Sequence, residues 1–106
     1  MTQDEARRIL AECRDRIDGI DRRILDLLNE RTRSVEAIGR AKRELRMPIY
    51  EPKREDDVYR NVTENNPGPL PPEAVRRVFE RIIDEMRTLQ RMRLERQAAE
   101  SGRGEE

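Results

Sequence analysis

Apolar residues recur at steps of three and four along much of the first half of the chain. They run from Ala6 through Ile9, Leu10, Cys13, Ile17, Ile20, Ile24, Leu27 and Leu28, then resume after a polar stretch at Val35, Ile38, Ala41 and Leu45. That spacing is one face of a helix. Thr2 with Glu5 three residues on makes a capping box that starts it, and no proline interrupts before Pro48. The predicted helix is roughly 40 residues, about 60 Å at 1.5 Å per residue. Pro48 and Pro52 break the segment Met47 to Pro52 into a loop. A short helix follows from about Lys53 to Glu64, with Val58, Tyr59 and Val62 on one face. Asn65-Asn66-Pro67-Gly68-Pro69 is a turn. Pro71 and Pro72 suit the first turn of a third helix, with Glu73 well placed near its N-terminus. The stripe of this helix is Val75, Val78, Phe79, Ile82, Ile83, Met86 and Leu89. The pattern predicts an all-α domain over residues 1–96, with a tail over 97–106 that frays.

Composition changes this picture in one respect. Of 106 residues only 34% are hydrophobic and 3% aromatic, while 43% are charged. A monomer so poor in large apolar groups has a thin core. Disorder is the first alternative, but disorder goes with high net charge and no periodicity. Here 23 basic residues balance 23 acidic ones, and the apolar positions are regular. A long helix cannot bury its stripe against so short a remainder, so a partner chain is expected. The single Cys13 excludes a disulfide scaffold and points to a reducing compartment. No apolar run approaches the ~18 residues of a membrane helix, and MTQDEARR lacks a signal-peptide core, so a cytoplasmic protein is expected. There is no histidine, which argues against zinc sites and histidine-activated nucleophiles. The balanced charge gives no footprint for nucleic acid.

The informative residues interrupt the stripes. Steps of seven from Ile24 and from Val35 land on Arg31 and Lys42, which share a helical face to within ~20°. On the third helix Gln90 follows Ile82 and Met86 at i+4 spacing. A core face thus carries a guanidinium, an ammonium and an amide, and unpaired buried charge costs several kcal/mol. Two readings follow. One is a structural ion pair with Glu51, Glu55 or an acidic neighbour. The other is a pocket between helices that holds an anionic ligand. Gly39, inside the helix, costs ~1 kcal/mol relative to alanine. It serves either close helix packing or room for a ligand one turn from Lys42.

The segment from Arg14 to Gln90 resembles the all-helical chorismate mutases, the AroQ class. The likeness rests on Arg14, Ile17 and Asp21, on Leu27-Leu28-Asn29-Glu30-Arg31, and on Ile38-Gly39-Arg40-Ala41-Lys42. It continues in Pro48-Ile49-Tyr50-Glu51-Pro52-Lys53-Arg54-Glu55, Phe79-x-x-Ile82-Ile83 and Gln90. Each piece alone is weak, and their order and gaps make the set specific. The resemblance implies an intertwined homodimer with two active sites, each built from both chains. It implies conversion of chorismate to prephenate in the branch leading to phenylalanine and tyrosine. That intramolecular [3,3] rearrangement needs no nucleophile, metal or cofactor, only preorganised cations and donors.

The same resemblance implies roles. Arg14 and Arg31 grip the substrate's carboxylates. Lys42 donates to the ether oxygen and helps hold a carboxylate, and Gln90 donates to that oxygen from the other side. Glu55 accepts from the ring hydroxyl with backbone near Glu51 assisting, and Arg54 lines the site. Taken singly, Arg14, Arg54 and Glu55 also read as surface residues in helix salt bridges. Two positions depart from the family's pattern. Glu51 stands where aspartate is frequent. Met86 stands where a serine hydroxyl often meets a carboxylate, which implies weaker binding with the chemistry kept. Three other functions fit the same scaffold: an isochorismate pyruvate lyase, a non-catalytic helical adaptor, and a mutase that needs a pathway enzyme as partner.

Overall fold

The structure is a computed structural model that describes residues 1–104. Its elements are α1 (Gln3–Leu45), α2 (Pro52–Glu64) and α3 (Pro72–Gly104), with no strand among the described residues. No described helix is long and apolar enough to cross a membrane. The chain divides into two compact units, one over Met1–Ser34 and one from Val35 onward.

The first unit is the N-terminal part of α1. The Glu5 amide donates to Thr2 Oγ1 at 3.1 Å and the Thr2 amide to Glu5 Oε2 at 3.4 Å, so both halves of the capping box form. The apolar stripe on this part lies largely in solvent: Ile9, Ile17, Ile24 and Leu27 are 42%, 53%, 47% and 63% exposed.

In the second unit α1 ends on a tight reversal. Arg46 takes a left-handed φ of 56°. The Met47 amide donates to the Lys42 carbonyl at 2.8 Å, and the Arg46 amide to the Arg43 carbonyl at 3.2 Å. These are the two bonds of a Schellman cap. Glycine is the usual residue there, and an L side chain costs about 1 kcal/mol. The reversal sends Met47–Glu51 back along the last turn of α1. Pro52 then opens α2, where its missing N–H costs nothing. Asn66 organises the next turn: its Oδ1 accepts from the Gly68 amide at 3.0 Å, and its Nδ2 donates to the Leu70 carbonyl at 2.7 Å. Gly68, at φ 79°, supplies the left-handed position. α2 packs on α3 around the buried Val75 and Ile83. Arg76 stacks on the Tyr59 ring at 4.2 Å. Burial, then the Glu80 and Glu55 carboxylates, push the Tyr59 phenol above its usual range.

The boundary expected near residue 96 is not marked by a helix end. α3 continues to Gly104, and Arg43 donates to the Gln97 side-chain carbonyl. Residues 105 and 106 of the expected tail lie outside the described residues.

Candidate active site

Lys42 is the only charged residue buried among those described, at 9% exposure. Its backbone and its side chain both fasten the loop. The carbonyl is held by the Met47 amide. The ammonium donates to the Ile49 carbonyl at 2.8 Å and pairs with Glu51 Oε1 at 2.7 Å. Glu51 stands at the N-cap of α2 yet makes no side-chain cap bond. Its carboxylate is spent on Lys42 instead. The ion pair that the stripe pattern allowed is therefore present, and it offsets the cost of burying the ammonium.

Opposite Lys42, α3 presents Gln90. Its Nε2 donates to the Val35 carbonyl at 3.4 Å, a long bond near the limit for an amide donor. Gly39, one turn before Lys42 on α1, lines the same pocket and faces Gln90. A Cβ built on it meets Gln90 Nε2 at 3.9 Å and Gln90 Cγ at 4.0 Å, which is ordinary contact. Among the described residues nothing thus demands glycine there. Of the two readings of Gly39, the distances favour space kept open over close packing. That space is a pocket of about 100 Å³ lined by Val35, Gly39, Lys42, Ile49 and Gln90, with Arg40, Arg43 and Arg93 at its edge. Glu36 offsets part of this positive charge through a 2.7 Å pair with Arg93.

The remaining expected site residues fall into three places. Glu55, on the first turn of α2, is half-buried and paired at 2.6 Å with Arg87 of α3. Arg54 is exposed on α2 and Met86 half-buried on α3. Arg14, exposed, and Arg31, half-buried, belong to the first unit, roughly 26 Å apart along α1. The structure therefore brings Lys42 and Gln90 to one pocket, with Glu51 paired to Lys42. It leaves the two arginines too far apart to hold one small molecule together. Sequence reasoning missed Arg87, whose partner lies 32 positions away. The only local hint was an arginine at i+4 from the buried Ile83. It also missed the backbone carbonyls of Ile49 and Val35, which no side-chain pattern reports.

Chemically, the pocket offers an ammonium and an amide as donors and guanidinium groups at its edge. It suits an anion that needs hydrogen bonds. Among the described residues no cluster of three or more His, Cys, Asp or Glu is arranged to hold a metal ion.

Comparison with known proteins points the same way. Residues 13–91 match the family model for chorismate mutase type II. The chain is 33% identical over 95 residues to a chorismate mutase of Methanocaldococcus jannaschii, covering 81% of this chain and 88% of that protein. It is 41% identical over 83 residues to a bifunctional chorismate mutase/prephenate dehydratase of Neisseria gonorrhoeae. There it spans 78% of this chain and only 22% of the larger protein. Among solved structures, form II of the chorismate mutase from Thermus thermophilus superposes with a TM-score of 0.75 at 43% identity, covering 79% of this chain and 94% of that one.

Proposed function

From the premise that the chain belongs to the chorismate mutase type II family, we propose that it rearranges chorismate to prephenate, in the branch that supplies phenylalanine and tyrosine. The observation that carries the proposal is the buried Lys42 ammonium facing the same pocket as the Gln90 amide. The reaction breaks an ether C–O bond and forms a C–C bond within one molecule. No proton moves, and negative charge gathers on the ether oxygen. An ammonium and an amide, fixed beforehand in a place poor in water, stabilise that charge more than they stabilise the ground state.

Of the three N–H donors of the ammonium, Ile49 and Glu51 engage two among the described residues. The third serves the substrate. The long Gln90 bond to Val35 is weak and is given up for the same oxygen. Glu55 accepts from the ring hydroxyl, with the backbone at Glu51 beside it. Arg54 lines the entrance. Met86 offers no hydroxyl to a carboxylate, so affinity is lowered while the chemistry is kept.

The carboxylates are gripped by Arg31 and by Arg14, and the ~26 Å between them along α1 requires that Arg14 come from a second copy of the chain. The exposed stripe of Ile9, Ile17, Ile24 and Leu27 supports this. A homodimer that buries that face contributes at about 25 cal/mol per Å² of apolar area. The proposed protein is a homodimer with two shared sites, working in the cytoplasm, where its free Cys13 stays reduced.

Purified protein mixed with chorismate tests the proposal by loss of the chorismate ultraviolet absorbance and appearance of prephenate. No loss above the uncatalysed rate, with or without enzymes of the same pathway as partners, overturns it. Pyruvate and salicylate formed from isochorismate, with chorismate untouched, assign the chain to the lyases instead.

A further inference from the structure

The Glu55 carboxylate does not stand alone. Arg87 Nη2, from α3, donates to Glu55 Oε1 at 2.6 Å, and the two side chains are only 25% and 19% exposed. The same guanidinium lies over the Tyr50 ring, 5.1 Å from its centroid, and 3.7 Å from Asp84 one turn back on its own helix. Tyr50 belongs to the loop that carries Ile49 and Glu51, the two partners of Lys42. One guanidinium therefore touches the loop on one side and the first turn of α2 on the other, from a rigid helix. A pair so short and so sheltered restricts its carboxylate far more than a surface ion pair does.

We propose that Arg87 is a positioning residue: it fixes the Glu55 carboxylate in the orientation from which it accepts the substrate's ring hydroxyl, while stacking on Tyr50 to hold the loop beside it. This rests on the mutase reading above. A free glutamate samples several rotamers, and time spent away from the productive one lowers the rate. The guanidinium is planar and forked, so lysine replaces it only in part.

The test is a double-mutant cycle on the full chain, with kcat and KM for chorismate measured for wild type, Arg87→Met, Glu55→Ala and the pair. Arg87→Met is expected to lower kcat/KM about 10-fold. In the Glu55→Ala background the same change is expected to alter it less than about twofold, because nothing is left to position. Arg87→Lys is expected to fall between wild type and Arg87→Met. Circular dichroism melts identify any variant that fails to fold. If Arg87→Met does so, Arg87→Lys in the two backgrounds provides the same comparison. Equal losses with and without Glu55, or no loss in either, overturn the positioning role and leave the mutase reading standing. A wild-type chain inert toward chorismate overturns both.

Discussion

Lys42→Met separates the ion pair that the lysine makes from the catalytic role proposed for it. Methionine keeps the apolar stem and removes the ammonium, so Glu51 Oε1 loses a partner at 2.7 Å and the Ile49 carbonyl one at 2.8 Å. The stability cost is limited by where those groups sit. The Glu51 side chain is 34% exposed and takes up water once released. The loss is therefore about 1–2 kcal/mol, between a surface pair and a charged hydrogen bond. For a domain of this size that lowers the melting temperature by several degrees at fixed protein concentration. Glu51→Gln breaks the same charge pair from the other side but leaves an acceptor oxygen, so its cost is similar or smaller. The two variants part company in activity. Removing one preorganised donor to a developing oxyanion costs ~3 kcal/mol, or 100-fold or more. Lys42→Met is thus expected to lose at least 100-fold in kcat, and Glu51→Gln less than about 10-fold. Melts by circular dichroism and initial rates of chorismate loss provide both numbers. If the two variants lose activity in the same proportion as they lose stability, the ion pair is structural and Lys42 is no catalyst.

Gln90→Glu is expected to stay active at acid pH and to fail toward neutrality, because a glutamate donates to the ether oxygen only when protonated; a flat pH–rate profile excludes Gln90 from that oxygen. Gly39→Ala is expected to raise the melting temperature, since helix propensity contributes ~1 kcal/mol and the new Cβ meets only ordinary contacts. It is also expected to lower kcat/KM by filling the pocket, and unchanged activity would return Gly39 to a packing role. Arg14→Ala and Arg31→Ala chains, each inactive alone, are expected to recover about a quarter of wild-type activity when refolded together in equal amounts. Half of the dimers are then mixed, with one intact site of two; no recovery, with mixed dimers confirmed by mass spectrometry, means that the site is not shared this way.

Local signals were enough to read the elements. The stripe from Ala6 to Leu45, the Thr2–Glu5 box and the two proline pairs reported α1, α2 and α3 to within a residue or two at the starts, because periodicity, caps and proline all act over fewer than eight residues. The reversal at Arg46 was not legible. A left-handed cap is usually flagged by glycine, and here an arginine takes it, held by the Met47 and Arg46 amides. That single residue decides the site, since it returns Ile49 and Glu51 to the Lys42 ammonium. The pattern could locate Lys42 on a core face and offer Glu51 among its partners. It could not choose between an ion pair and a ligand pocket, and the structure has both around one nitrogen. Arg87 shows the other limit: its partner is 32 residues away on another helix, and no local rule connects them.

The coexistence of pair and pocket has a physical sense. An ammonium in a sheltered site with no anion is costly, and the Glu51 carboxylate supplies that anion. Glu51 is one-third exposed, so part of its charge stays solvated while Oε1 holds Lys42. It also stands at a helix N-terminus, where a carboxylate is favoured on its own account. An aspartate in its place would reach Lys42 with one methylene fewer and pull the loop closer. Glu51→Asp is therefore expected to move KM for chorismate more than kcat. The two donors that the proposed mechanism assigns to the transition state, the Lys42 ammonium and the Gln90 amide, are left in place.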